Sequence, residues 1–241
     1  MKKIICKTYE EMSAEAAFII ANQVRTKPDS VLGLATGSTP IGTYKRLAEE
    51  HKKTGLDFSQ VKTFNLDEYY PIKRDNRQSY RYFMDENLFS HVNIPPSNVN
   101  IPDGECSAPE KECSDYDSGL NKAGGTDLQL LGIGNNGHIA FIEPGENLPL
   151  ATGLVELTQD TITANSRFFE KEEDVPKKAI SMGLSGIMGS KHILLLISGK
   201  AKATVVKELF SGKVTTQIPA TLLNLHPNVT VILDEEAAGL L

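Results

Sequence analysis

No run in this 241-residue chain approaches about 18 consecutive apolar residues, so no membrane-spanning helix is expected. The opening MKKIICKTYEEM has two lysines but no long apolar stretch behind them, and acids follow at once. It does not read as an export signal. Basic charge is scarce: 25 Lys and Arg stand against 31 Asp and Glu, for a net charge of −6. That argues against broad binding to nucleic acid or anionic membranes and leaves room for a small local basic site. Cysteine is sparse and odd in number, at Cys6, Cys106 and Cys113, which fits a reducing, cytoplasmic setting. No histidine lies near Cys106 and Cys113, so no zinc site is expected. There is no Gly-Lys-Ser/Thr of a Walker loop. There is also no repeat, low-complexity tract or linker, so residues 1–241 are expected to form one domain.

What is present is an ordinary globular composition, 40% hydrophobic and 23% charged. Short runs rich in Val, Ile and Leu recur at Val31–Ala35, Val61–Phe64, Leu128–Ile133, His192–Ile197 and Val229–Leu233. Such runs suit buried parallel strands, and Cys6 falls in a further strand at the start. Helical patterns lie between them, at Tyr9–Gln23, Thr39–His51, Tyr80–Phe89, Glu110–Lys122, Lys200–Leu209 and Ala220–Leu225. The alternation predicts an α/β fold: an open, mostly parallel, doubly wound sheet of Rossmann type with helices on both faces. Residues 145–176 are less regular and support two readings, a lid over a site or a solvated connection.

In such sheets the site lies at the carboxyl ends of the strands. After Val31–Ala35 comes Thr36-Gly-Ser-Thr-Pro40. Thr36, Gly37, Ser38 and Thr39 form either an anion cradle at a helix N-terminus or a simple N-cap. After Val61–Phe64 comes NLDEYY, with Asp67 and Glu68 adjacent. Neighbours on a strand point to opposite sides, so one carboxylate can face a cleft as a base while the other holds the loop.

After Leu128–Ile133 the chain reads GIGNNGHIAFIEPG. Gly132, Gly134 and Gly137 match the G-x-G-x-x-G of dinucleotide sites. That reading needs a long helix from the last glycine, and Pro144-Gly145 follows seven residues later. The motif also lies past the midpoint of the chain, whereas the fingerprint opens the first βα unit of its domain. A glycine loop presenting His138, with Glu143 five residues on, points instead to proton transfer. His51, His91, His192 and His226 carry no comparable context. Arg167, in ANSRFF, and Lys202, in SGKAKA, are candidate phosphate grips.

Taken in order, LATGSTP, NLDEYY, GIGNNGHIAFIEPG, ANSRFF, SGKAKA and IPATLLNLHP resemble the glucosamine-6-phosphate deaminase family from about Val31 to Leu233. The acidic pair with Tyr-Tyr and the GHIAF-x-EPG stretch separate it from 6-phosphogluconolactonases, which share the wider fold. The resemblance implies the reaction glucosamine 6-phosphate plus water to fructose 6-phosphate plus ammonia, in amino-sugar catabolism, with no metal or organic cofactor. It implies Asp67 as the base moving a proton between C2 and C1, and His138 as the proton carrier at the ring oxygen and C1 hydroxyl. Glu143 and Asn136 would orient that histidine. Ser38, Thr39, Arg167 and Lys202 would hold the phosphate and sugar chain, with Thr36, Gly37, Glu68 and Gly137 completing the substrate site.

Ile142 departs from the Phe-Asn-Glu-Pro usual in the family. It either alters the sugar pocket or points away from it. LATGLVEL, at Leu150–Leu157, lacks the basic residues with which allosteric members bind an N-acetylated sugar phosphate, so no such activation is expected. The resemblance leaves a galactosamine-6-phosphate deaminase and, more remotely, a lactonase or a non-catalytic sugar-phosphate sensor as alternatives. A monomer or small homo-oligomer is expected, with a small-molecule substrate and no nucleic acid or membrane partner.

Overall fold

The computed structural model describes residues 1–241 apart from Arg167, Phe168 and Glu170 and the side chains of Asp160, Ala164 and Glu172. The first half runs β1 (Lys2–Cys6), α1 (Tyr9–Thr26), β2 (Val31–Leu34), α2 (Ile41–Thr54), β3 (Lys62–Asn65), β4 (Asp67–Tyr70), α3 (Tyr80–Asn87), β5 (Val99–Asn100) and α4 (Pro109–Lys122). It continues as β6 (Leu128–Leu131), β7 (Gly153–Glu156), α5 (Gln159–Asn165), β8 (Lys178–Ser181), α6 (Leu184–Met188), β9 (Ile193–Ile197), α7 (Ala203–Leu209) and β10 (Val229–Asp234).

Seven strands form one sheet in the order β1-β10-β9-β6-β2-β3-β5, and every pairing in it is parallel. Strand alternation splits each apolar run between two cores. Leu32, Leu34, Leu128, Leu130, Leu194 and Ile232 pack with Met12, Ile20, Tyr44, Leu47 and Met84 of α1, α2 and α3. Val31, Leu131, Ile193, Leu195, Val231 and Leu233 pack with Leu120, Ile187, Val206 and Leu209 of α4, α6 and α7. Burial on both faces is why the runs are continuous rather than alternating. The predicted fold class is the one observed.

From β2 the chain moves outward to β3 and β5, then returns on the other side of β2 as β6. The crevice between β2 and β6 is therefore the topological switch point, where open α/β sheets bind ligands. At the opposite, amino end of these strands Asp127 is a fastening. Its carboxylate accepts Val31 N–H at 2.8 Å and pairs with Lys27 at 2.9 Å and Lys191 at 2.7 Å. These partners precede or open β2 and β9, while Asp127 itself precedes β6.

The sequence pattern did not foretell a second sheet, antiparallel, in the order β4-β8-β7. One residue, Leu66, separates β3 from β4, and its backbone ties the sheets together. Its N–H donates to Leu34 O at 3.1 Å and its carbonyl accepts Met182 N–H at 2.7 Å. Two further expectations need correction. Residues 145–176 hold β7, α5 and a 3-10 turn at Glu172–Asp174 rather than an irregular stretch. The helix expected at Ala220–Leu225 is a 3-10 helix, Pro219–Leu225. Within it Thr221 Oγ1 donates to Ile218 O three residues back, at 2.7 Å, a local bond that competes with regular helix. Among the described residues no helix is long and apolar enough to cross a membrane.

Candidate active site

The loop after β2 turns on Gly37, whose φ of +95° suits glycine. Pro40 is the N-cap of α2 and no side chain caps that helix, so the hydroxyls of Ser38 and Thr39 are not used as caps. Among the described residues the N–H groups of Gly37, Ser38 and Thr39 donate to no protein acceptor. Unbonded donors beside a helix N-terminus are what an anion cradle requires. The N-cap reading of this loop is set aside.

After β3 the two acids part as strand geometry requires. Asp67 is 6% exposed, and its carboxylate takes no hydrogen bond among the described residues. Burial, and then the charge of Glu68, push its pKa up to about 8. Glu68 is 2% exposed. Its carboxylate accepts N–H from Tyr69 at 2.9 Å, Tyr80 at 2.8 Å and Arg81 at 2.9 Å. It thereby satisfies orphan donors at the start of α3, where negative charge is favoured. Burial raises it to about 7 against the pull of those N–H groups. Glu68 was expected in the substrate site. In the structure its carboxylate is held by three backbone N–H groups, two of them at the start of α3.

After β6 the glycine loop serves a histidine. No helix follows Gly137 until α5 begins at Gln159, so the dinucleotide reading is excluded. A Cβ at Gly134 would fall 2.3 Å from the His138 ring. Gly137 has φ +88°, and its Cβ would fall 2.5 Å from Ile218. A Cβ at Gly132 would meet nothing. Two of the three glycines thus make room, one for the imidazole and one for the turn that carries it.

His138 Nδ1 lies 3.4 Å from Glu143 Oε1. The contact is an ion-pair distance, not a formed hydrogen bond, and among the described residues buried Nδ1 has no other partner. Asn136 closes the unit: its Nδ2 donates to Glu143 Oε2 at 2.7 Å and its Oδ1 accepts His138 N–H at 3.1 Å. Thr161 Oγ1, from α5, donates to Glu143 Oε1 at 2.5 Å. Burial alone would raise Glu143; His138, Thr161 and Asn136 outweigh it and hold the pKa down to about 2. Ala140, between histidine and glutamate, adopts φ +50°, a left-handed conformation that costs a non-glycine residue. Ile142 is 0% exposed and sits in the core with Met182 and Leu195. It is a core residue and adds no exposed surface to the cleft.

After β9 Gly199 turns at φ +91° and Lys202 Nζ donates to Ile133 O at 2.7 Å, beside the histidine loop. Asp234, at the end of β10, holds this turn through Ser198 Oγ at 2.5 Å and Gly199 N–H at 3.0 Å. Ser181 joins the two acid–base stretches: it is in register with Asp67, and its Oγ accepts Phe141 N–H at 3.1 Å. Tyr69, Tyr80, Phe141 and Phe169 form an aromatic wall; the Tyr80 and Phe141 rings stack at 6.3 Å.

The structure therefore brings Asp67, Asn136, His138 and Glu143, the Thr36–Thr39 loop, Gly137 and Lys202 to the carboxyl ends of β2, β3, β6 and β9. Arg167 lies outside the described residues. Thr161, Ser181 and Asp234 went unnoticed in the sequence. Asp234 alone left a signal, an acid at the end of a strand-like run. Among the described residues no three His, Cys, Asp or Glu side chains gather in a metal-holding group.

A profile of the family described as glucosamine-6-phosphate isomerases/6-phosphogluconolactonase matches residues 7–232. The glucosamine-6-phosphate deaminase of Halothermothrix orenii is 56% identical over all of both chains. That of Thermoanaerobacter pseudethanolicus is 55% identical over all of this chain and 95% of its own. A solved monomeric glucosamine-6-phosphate deaminase is 47% identical, covers all of both chains and superposes with a TM-score of 0.98.

Proposed function

Because the chain belongs to the glucosamine-6-phosphate isomerase and 6-phosphogluconolactonase family, we propose from its site that it deaminates and isomerises glucosamine 6-phosphate to fructose 6-phosphate, releasing ammonia. It is an enzyme acting on a C–N bond in amino-sugar catabolism. The observation that carries the reading is the pairing of two proton-transfer groups of different kind at one sheet edge. One is the unbonded, nearly buried carboxylate of Asp67; the other is His138 backed by Glu143 and Asn136.

The roles follow from the chemistry. The sugar ring opens when a proton leaves the C1 hydroxyl and another reaches the ring oxygen. His138 carries these protons, and Glu143, held ionised, balances its positive form. Opening leaves a C1 carbonyl that acidifies the C2 proton. Asp67 removes that proton and returns it to C1 while a proton passes from the C2 ammonium to the C1 oxygen, giving a C1 hydroxyl and a C2 iminium. Water adds there, and ammonia leaves. A base whose pKa is raised to about 8 is well matched to carbon acids at neutral pH, and the C2 ammonium of an incoming amino sugar favours its ionised form. Binding of the remote phosphate by the Gly37–Thr39 donors, Lys202 and Arg167 positions C1 and C2 over the two groups.

We further propose a cytoplasmic enzyme that works as one domain, as a monomer or small homo-oligomer. Gly153 and Val155 of β7 bring no charge to the segment that would bind an effector. N-acetylglucosamine 6-phosphate is expected to leave the half-saturation concentration unchanged, and a clear fall on its addition would refute this.

The test is ammonia release from glucosamine 6-phosphate, with galactosamine 6-phosphate and 6-phosphogluconolactone alongside. Asp67→Asn should lower turnover by about 10²–10⁴-fold while sparing sugar-phosphate binding. Faster release from the galactosamine epimer would move the assignment to that substrate. Near-normal turnover of the variant would remove Asp67 from the mechanism.

A further inference from the structure

Thr8 caps α1: its Oγ1 accepts Glu11 N–H at 3.2 Å, and Glu11 Oε2 reaches back to Lys7 N–H at 2.9 Å. This reciprocal cap sets where the helix starts, and so where its first side chain, Tyr9, points. The phenol reaches the loop after β2. Its oxygen lies 3.2 Å from Ser38 O and 3.1 Å from Thr39 O, and accepts Gly42 N–H at 2.8 Å. Gly42 permits the approach, since a Cβ there would fall 2.4 Å from Ser13 Oγ and 3.0 Å from the Tyr9 ring.

We infer that Tyr9 is a positioning residue for the phosphate of the substrate, acting through the peptide between Ser38 and Thr39. In a planar trans peptide the carbonyl and the N–H point in opposite directions. Drawing Ser38 C=O toward the phenol turns Thr39 N–H away from α1 and toward the cleft. The next carbonyl, that of Thr39, precedes Pro40 and has no N–H to aim. Its capture by the same hydroxyl keeps its negative end away from an anion. The phenol also consumes Gly42 N–H, while the N–H groups of Gly37, Ser38 and Thr39 have no protein acceptor among the described residues. Tyr9 touches no substrate atom in this arrangement.

The inference rests on the proposed function for its substrate, and the test separates the two. Inorganic phosphate is titrated into wild type and Tyr9→Phe by calorimetry, and ammonia release is measured in parallel. The variant removes one oxygen and keeps the ring packing. Losing the brace is expected to raise the phosphate Kd and the KM for glucosamine 6-phosphate about tenfold, with kcat within about twofold. In wild type, phosphate should shift the amide resonance of Thr39 and leave that of Gly42 in place, a readout independent of how the variant folds. Unchanged phosphate affinity in a folded variant, a loss confined to kcat, or a Thr39 amide indifferent to phosphate would each overturn the inference. If wild type binds phosphate by these criteria yet releases ammonia from no amino sugar, the proposed function fails and the role of Tyr9 stands.

Discussion

At the scale of single residues, the glycine motif divides by what each missing side chain leaves open. Gly132→Ala should be silent, since its Cβ meets nothing. Gly134→Ala should fold but lose at least about 10²-fold in turnover, because the atoms nearest the new methyl belong to the His138 ring, which must move. Melting curves with steady-state rates check both, and equal activity in the two variants would break the assignment of Gly134 to the imidazole. Asp67 carries a second expectation. Its native pKa is raised by burial, so between about pH 4 and 8 the folded state keeps a proton that the unfolded chain gives up. Stability is full at the acid end of that window and falls as pH rises through it. Asp67→Asn should therefore lose less melting temperature than wild type between pH 5 and 8. Parallel pH profiles would show that Asp67 titrates near its ordinary value. The placement of Asp67, His138 and Glu143 beyond the ends of buried strands was legible in the sequence, because the apolar runs that precede them are plain. Which member of the Asp67–Glu68 pair faces the cleft was not, because alternation says that they diverge without saying where α3 will place its N–H groups.

At the scale of elements, α5 reaches into the acid–base unit through Thr161, which shares Glu143 Oε1 with His138. Thr161→Val keeps the shape and removes the donor. It should lower kcat about tenfold with KM within about twofold, and Thr161→Ser should restore turnover, since a hydrogen bond to a charged group is lost in one and kept in the other. A change in KM alone would assign Thr161 to substrate binding instead. Nothing in the sequence marked this contact: Thr161 lies 18 residues from Glu143 in a stretch with no apolar period. The antiparallel sheet escaped notice for a related reason. Its strands are four residues long, each begins or ends in a charged residue, and no tight turn joins them. Their pairing is decided by the parallel sheet beside them, through Leu66 and Met182, and not by local pattern.

At the scale of the molecule, the fold class was readable because burial on both faces makes a strand apolar from end to end, and such runs recur. The order of strands was not readable, since every run has much the same composition; the switch between β2 and β6 comes from packing. The result is a sheet with two unlike edges. The carboxyl edge holds the strained Ala140, the unbonded Asp67 and free N–H donors. The amino edge holds Asp127, with its backbone partner and two lysines satisfied. For an engineer this is a division of labour. Attachment points, surface tags and thermostabilising changes belong at the Asp127 end, where the chain is already content and a strand's length separates them from the chemistry. Changes meant to retune the choice of sugar belong at the other.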